Sequence, residues 1–112
     1  MADPDRSPCV PLRKPLAAQL TDRHACLRLA VTIVALAPDR LRFIADRSLP
    51  PGTSWTIVVR RWPQLALEIT LRSARAHERD TFACEAAVSR LRERDRGRFA
   101  ALLSAHNAAE RV

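Results

Sequence analysis

The sequence predicts a mostly β protein, a six-stranded antiparallel barrel with a C-terminal α-helix, and three observations predict it. First, apolar side chains recur at every second position in Leu27-Arg28-Leu29-Ala30-Val31-Thr32-Ile33 and in Leu65-Ala66-Leu67-Glu68-Ile69-Thr70-Leu71-Arg72. Trp55 to Val59 and Phe82 to Val88 follow the same period more loosely. A period of two sends alternate side chains to opposite faces of a strand, and one dry face with one wet face marks an antiparallel sheet. Second, from Arg94 onward the period lengthens to about 3.6, the mark of an amphipathic helix. Third, six short runs followed by one helix fit a closed or nearly closed barrel, because closure removes the edges of a short sheet.

Each element has its own signal. Residues 1–12 carry Pro4, Pro8 and Pro11 among polar residues and read as a flexible arm. Arg13 to Leu20 is a first strand, signalled by Leu16, Ala18 and Leu20, and Thr21-Asp22-Arg23-His24 is a turn. Cys26 to Leu36 is a long second strand. Ala37-Pro38-Asp39-Arg40 turns, because Pro38 fixes its own φ at a value that suits the second place of a turn. Leu41 to Ile44 is a short third strand, and Asp46 to Thr53 a loop leading into the strand Ser54 to Arg61, which Pro63 ends. Leu65 to Ala76 and Thr81 to Val88 are the last two strands, joined by a turn at Glu78-Arg79-Asp80. In the helix, Phe99, Leu102 and Leu103 form a narrow apolar stripe that covers one barrel mouth, and His106-Asn107 closes it. The predicted organisation is an arm over 1–12, one domain over 13–106 and a tail over 107–112.

Composition narrows the function classes. A chain of 112 residues is one domain, long enough to bury a modest core without staples. No apolar run approaches the roughly 20 residues a membrane-spanning helix needs. The opening Met1-Ala2-Asp3-Pro4-Asp5-Arg6 lacks an apolar signal core, so a cytoplasmic protein is expected. Cys9, Cys26 and Cys84 are odd in number and widely spaced, which suits reduced thiols filling apolar space. The net charge is +7, carried by eighteen arginines and one lysine. Arginine forks grip phosphate and carboxylate, and a basic surface attracts polyanions or an acidic partner.

Few residues point to chemistry. His24 and Cys26 are two apart, as metal ligands on one strand face would be, but no second pair completes four ligands. His77 by a turn and His106 in the helix read as solvent-exposed. With two glycines there is no Gly-rich phosphate loop, and no nucleophile–base constellation is visible, so no enzymatic activity is expected. Arg60-Arg61-Trp62 joins two cations to a ring, a combination frequent at protein interfaces, and is a candidate partner contact. Arg90, Arg92, Arg94, Arg96 and Arg98 form a second basic cluster leading into the helix and, interleaved with Glu93 and Asp95, read as helical ion pairs.

The block Leu41-Arg42-Phe43-Ile44-Ala45-Asp46-Arg47-Ser48-Leu49-Pro50-Pro51-Gly52-Thr53 resembles the centre of a PilZ domain: a short strand reading Gly-Leu-x-Ile, then a Leu-Pro-x-Gly-Thr loop, then an apolar strand. The later strand pair and the ending Asp95-Arg96-x-x-Phe99-x-x-Leu102-Leu103 are similar too, so the resemblance covers about residues 13–105. It implies a six-stranded PilZ-like barrel and a ligand, cyclic di-GMP, that the family commonly binds through two motifs. An N-terminal Arg-x-x-x-Arg grips phosphates and stacks on guanine, and an Asp/Asn-x-Ser-x-x-Gly stretch reads the guanine edge.

This chain departs from both motifs. The second falls on Ala35-Leu36-Ala37-Pro38-Asp39-Arg40, where alanine stands for the acidic residue and for the serine, and Arg40 for the glycine; Asp39 is out of register. The first falls on Cys9 and Arg13, so one of its two arginines remains, with Arg6 and Lys14 as substitutes. Each lost polar partner costs about 1–3 kcal/mol, and two or three together weaken binding about a hundredfold or more. Cyclic di-GMP is therefore expected to bind weakly or not at all, with Arg6, Arg13, Lys14 and Arg40 as phosphate contacts if binding is retained. No other cofactor is implied. The expected function is a degenerate PilZ-like adaptor in bacterial cyclic di-GMP signalling, docking on a protein of a motility, biofilm or secretion system. The alternative is a small basic barrel that binds single-stranded nucleic acid, for which Trp62 is the one good stacking ring.

Overall fold

The structure, a computed structural model, describes residues 9–22, 27–59, 65–91 and 93–110. Six strands, β1 (Val10–Asp22), β2 (Arg28–Leu36), β3 (Arg40–Ala45), β4 (Ser54–Val59), β5 (Leu65–Ala76) and β6 (Phe82–Arg90), precede one helix, α1 (Glu93–Glu110). The strands close in the order β1-β2-β3-β6-β5-β4, every pair antiparallel, with β4 returning to β1 through Gln19 opposite Val58 and Leu20 opposite Ile57. The predicted fold class is the observed one.

The period of two becomes the barrel wall. Along β4 the inward residues Trp55, Ile57 and Val59 are buried, and along β5 Leu65, Leu67, Ile69 and Leu71 are. They meet Leu20 of the neighbouring β1 and Ile33 and Phe43 of β2 and β3 in one continuous core. Trp55 enters this core without stranding its indole N–H, which donates to Thr53 Oγ1 at 2.8 Å.

Short connections follow turn chemistry. Between β2 and β3 the Ala37 amide donates to the Arg40 carbonyl at 2.9 Å, closing the turn read at Ala37-Pro38-Asp39-Arg40. In the loop from Asp46 to Thr53, Gly52 takes φ +87°, the value that the third place of a type II turn demands after Pro51. The loop is tied to β5 by Gly52 N–H to the Leu71 carbonyl at 2.7 Å and Leu71 N–H to the Thr53 carbonyl at 2.9 Å. Leu49 is buried within it. Between β5 and β6, Arg79 and Asp80 both take positive φ, 30° and 58°, and the twist of such a turn matches that of the flanking strands.

Several boundaries differ from the sequence reading, and Thr21 and Asp22, read as a turn, pair with Thr56 and Trp55 of β4 as the end of β1. β1 starts at Val10, so positions 10–12 of the expected arm belong to the barrel, with Val10 opposite Leu36, Pro11 opposite Ala35 and Leu12 buried. Pro11 and Pro15 are accommodated because the β1–β2 register shifts between Pro11 and Leu16, where ladder hydrogen bonds lapse. The helix runs on to Glu110 through most of the expected 107–112 tail, consistent with the helix propensity of Ala108 and Ala109. β6 extends to Arg90.

The helix rests on β1 and β5, burying Phe99 and Leu102 and half-burying Leu103, as the apolar stripe predicts. The expected helical ion pairs form, and one of their carboxylates is buried. Asp95 lies one turn before Phe99 on the same stripe and is 2% exposed. Arg94 Nε reaches its Oδ2 at 3.7 Å and Arg98 Nη1 its Oδ1 at 3.9 Å, while both arginines stay mostly in solvent. The carboxylate sits in the first turn, where the helix macrodipole favours negative charge.

Candidate functional site

The strand register decides which side chains share the outside of the barrel. On β3 the outward residues are Arg40, Arg42 and Ile44, which stand opposite Ala87, Glu85 and Ala83 of β6. On the other side of β6, Ser73 of β5 stands opposite Glu85 and Arg75 opposite Ala83. This wall therefore presents two cross-strand rows, Arg42–Glu85–Ser73 and Ile44–Ala83–Arg75. The small residues of β6 leave a groove of about 390 Å3 between the longer side chains of β3 and β5, with Val34 and His77 at its rim.

Arg40 lies at one end of this wall but is not an open cation. It is 8% exposed. Its Nε donates to Cys9 Sγ at 3.2 Å and lies 3.9 Å from Glu85 Oε1. The Cys9 hydrogen bond, joined by the charges of Asp39 and Glu85, raises the Arg40 guanidinium above its ordinary value against the opposing effect of burial. Glu85 is shared, since its other oxygen lies 3.8 Å from Arg42 Nε. A carboxylate between two guanidiniums is held in place, but the outer pair, with Arg42 56% exposed, adds little stability in water.

The residues expected to contact phosphate are thus placed unequally. Arg13 and Lys14 are exposed on the irregular stretch of β1, four and five positions after Cys9. Arg40 is buried against Cys9 and Glu85. Arg6, Arg60, Arg61 and Trp62 lie outside the described residues, as do His24 and Cys26. Ala35, where the family's acidic residue would stand, is buried between Pro11 of β1 and Arg42 of β3. His77 is exposed, as read. Among the described residues no three His, Cys, Asp or Glu side chains gather as metal ligands. No described helix is long and apolar enough to cross a membrane.

Sequence reasoning missed Arg42, Arg75 and Glu85 as a group. The available signal was the outward alternation Ala83, Glu85, Ala87 on β6, but the partners of that face depend on strand order. A second, smaller groove of about 260 Å3 lies on the β4–β5–β6 wall, lined by Ser54, Thr56, Glu68, Ser89 and Arg90 around the edge of Trp55. Its glutamate and arginine stand directly opposite each other, which leaves it no net charge.

Compared with known proteins, the chain matches no family model, no curated protein and no solved structure.

Proposed function

We propose that this chain is a non-enzymatic, PilZ-like adaptor that works through protein contacts and binds cyclic di-GMP weakly or not at all. The contact between Cys9 and Arg40 is the observation that supports this reading. In the resemblance, Cys9 stands where the family has a phosphate-gripping arginine and Arg40 where it has a glycine. Here these two replacements touch at 3.2 Å. One arginine is absent, and the position that should let a ligand approach the backbone carries a side chain satisfied from within the protein. The closed barrel, the Pro-Gly turn and a C-terminal helix packed on β1 and β5 agree with the same reading.

Arg13 and Lys14 remain in solvent and are the contacts available for residual phosphate binding. The adaptor would belong to bacterial cyclic di-GMP signalling and dock on a component of a motility, biofilm or secretion system in the cytoplasm. Calorimetric titration of the full chain with cyclic di-GMP, beside an Arg13→Ala variant, tests the proposal. The expected result is no saturable binding in the submicromolar range. Submicromolar binding overturns it, and binding that ignores Arg13 removes that residue from the candidate contacts.

The nucleic-acid alternative has less support. Phe43, Trp55 and Phe99 are committed to the core and Phe82 packs against it, so the described residues offer no free stacking platform.

A further inference from the structure

The groove on the β3–β6–β5 wall has a definite chemistry. Arg75 is exposed and makes no hydrogen bond or ion pair with the described residues. Arg42 is more than half exposed and shares Glu85 with the buried Arg40. The charge of Glu85 is thus offset by its two arginines while its oxygens can still accept a hydrogen bond, and the open rim of the groove is cationic, with Arg42 on one side and Arg75 on the other. Between them the floor is aliphatic, made by Ile44 and Ala83. Arg42 and Arg75 stand on strands that flank β6, so two strand spacings, about 10 Å, separate their backbones across the groove.

We infer that this groove docks an extended acidic segment of a partner protein. Carboxylates a few residues apart on such a segment reach Arg42 and Arg75 with forked hydrogen bonds. An aliphatic side chain between them lies on Ile44 and Ala83. Glu85 accepts from a backbone N–H of the incoming chain, which a sugar-phosphate backbone does not offer. The absence of any exposed ring on the floor further favours a peptide over a nucleic acid, whose bases stack on aromatic faces. This inference rests on the adaptor reading and names the partner's chemistry.

The test uses the full chain at low salt and a short fluorescent peptide of repeating Glu-Ser-Leu-Ser, which sets glutamate and leucine on one face of an extended chain, followed by anisotropy. Saturable binding is expected, weakened about tenfold or more by Arg75→Glu and unchanged by Arg28→Glu, an equal charge change at the far end of β2. Equal losses in both variants would mean that net charge alone drives binding, and would overturn the inference. Tighter binding of an oligothymidylate than of the peptide would overturn it in favour of nucleic acid. Failure of the peptide to bind, with cyclic di-GMP also failing to bind, sinks the groove and leaves the adaptor reading standing. Submicromolar binding of cyclic di-GMP sinks the adaptor reading instead.

Discussion

Cys9 Sγ accepts a hydrogen bond from Arg40 Nε at 3.2 Å, joining residues 31 positions apart and fastening the start of β1 to the start of β3. Removing this acceptor loses the net contribution of the bond, while Glu85 stays within ion-pair distance of the same Nε. Arg40→Ala should lower stability by about 1–3 kcal/mol and Cys9→Ala by about 1 kcal/mol. Their double-mutant cycle in urea unfolding should give a coupling of about 0.5–1.5 kcal/mol. Strict additivity would mean that the contact does not form in solution.

Cys84 is 2% exposed, and burial pushes its thiol from an ordinary 9.0 up to about 11. In the native chain it should resist iodoacetamide at pH 8 and be labelled on unfolding, with the site read by peptide mass. The raised value also sets a pH dependence. Between about pH 9 and 11 the unfolded chain has lost this proton while the folded chain keeps it. Stability from this group is therefore full below pH 9 and falls as pH rises through 11, by at most about 2–3 kcal/mol. Cys84→Ala should flatten the stability profile over that window, and an unchanged slope would refute the assignment.

The two glycines predict opposite signs. A methyl group added at either would meet nothing within 4 Å, so only the backbone matters. Gly52 is held at φ +87°, and Gly52→Ala should destabilise by about 1–2 kcal/mol. Gly97 lies within α1, and Gly97→Ala should stabilise by about 0.5–1 kcal/mol. Thermal unfolding midpoints moving in the same direction for both variants would contradict these assignments.

Arg79 and Asp80 occupy left-handed positions that Asn-Gly fills at lower cost. Replacing the pair by Arg79→Asn with Asp80→Gly removes one charge of each sign and leaves the net charge alone. A gain of about 1 kcal/mol is expected, about 4 °C in Tm. A loss would show that the native side chains contribute something the turn geometry does not explain.

The strands were legible because each alternates over enough residues to bury one face; β5 matches its reading from Leu65 to Ala76. The start of β1 was not, because Val10 and Pro11 carry no alternation and their pairing depends on β2 lying alongside. The burial of Asp95 was not legible for a related reason. Its charge argues for solvent, while its place one turn before Phe99 sets it on the buried stripe. The candidate phosphate contacts could be named from type and spacing, but spacing says nothing of what a side chain meets across the barrel.

The amino-acid order by itself determined a barrel of six strands with a terminal helix, its turn positions and its cationic character. These follow from local periodicity and from residues such as Pro51 and Gly52, whose backbone preferences act over a few positions. Only the tertiary structure decided that Arg40 is covered on the outer wall by Cys9 and Glu85, while Arg42 and Arg75 face one groove. That outcome depends on β6 sitting between β3 and β5, a neighbour relation set by closing the whole sheet.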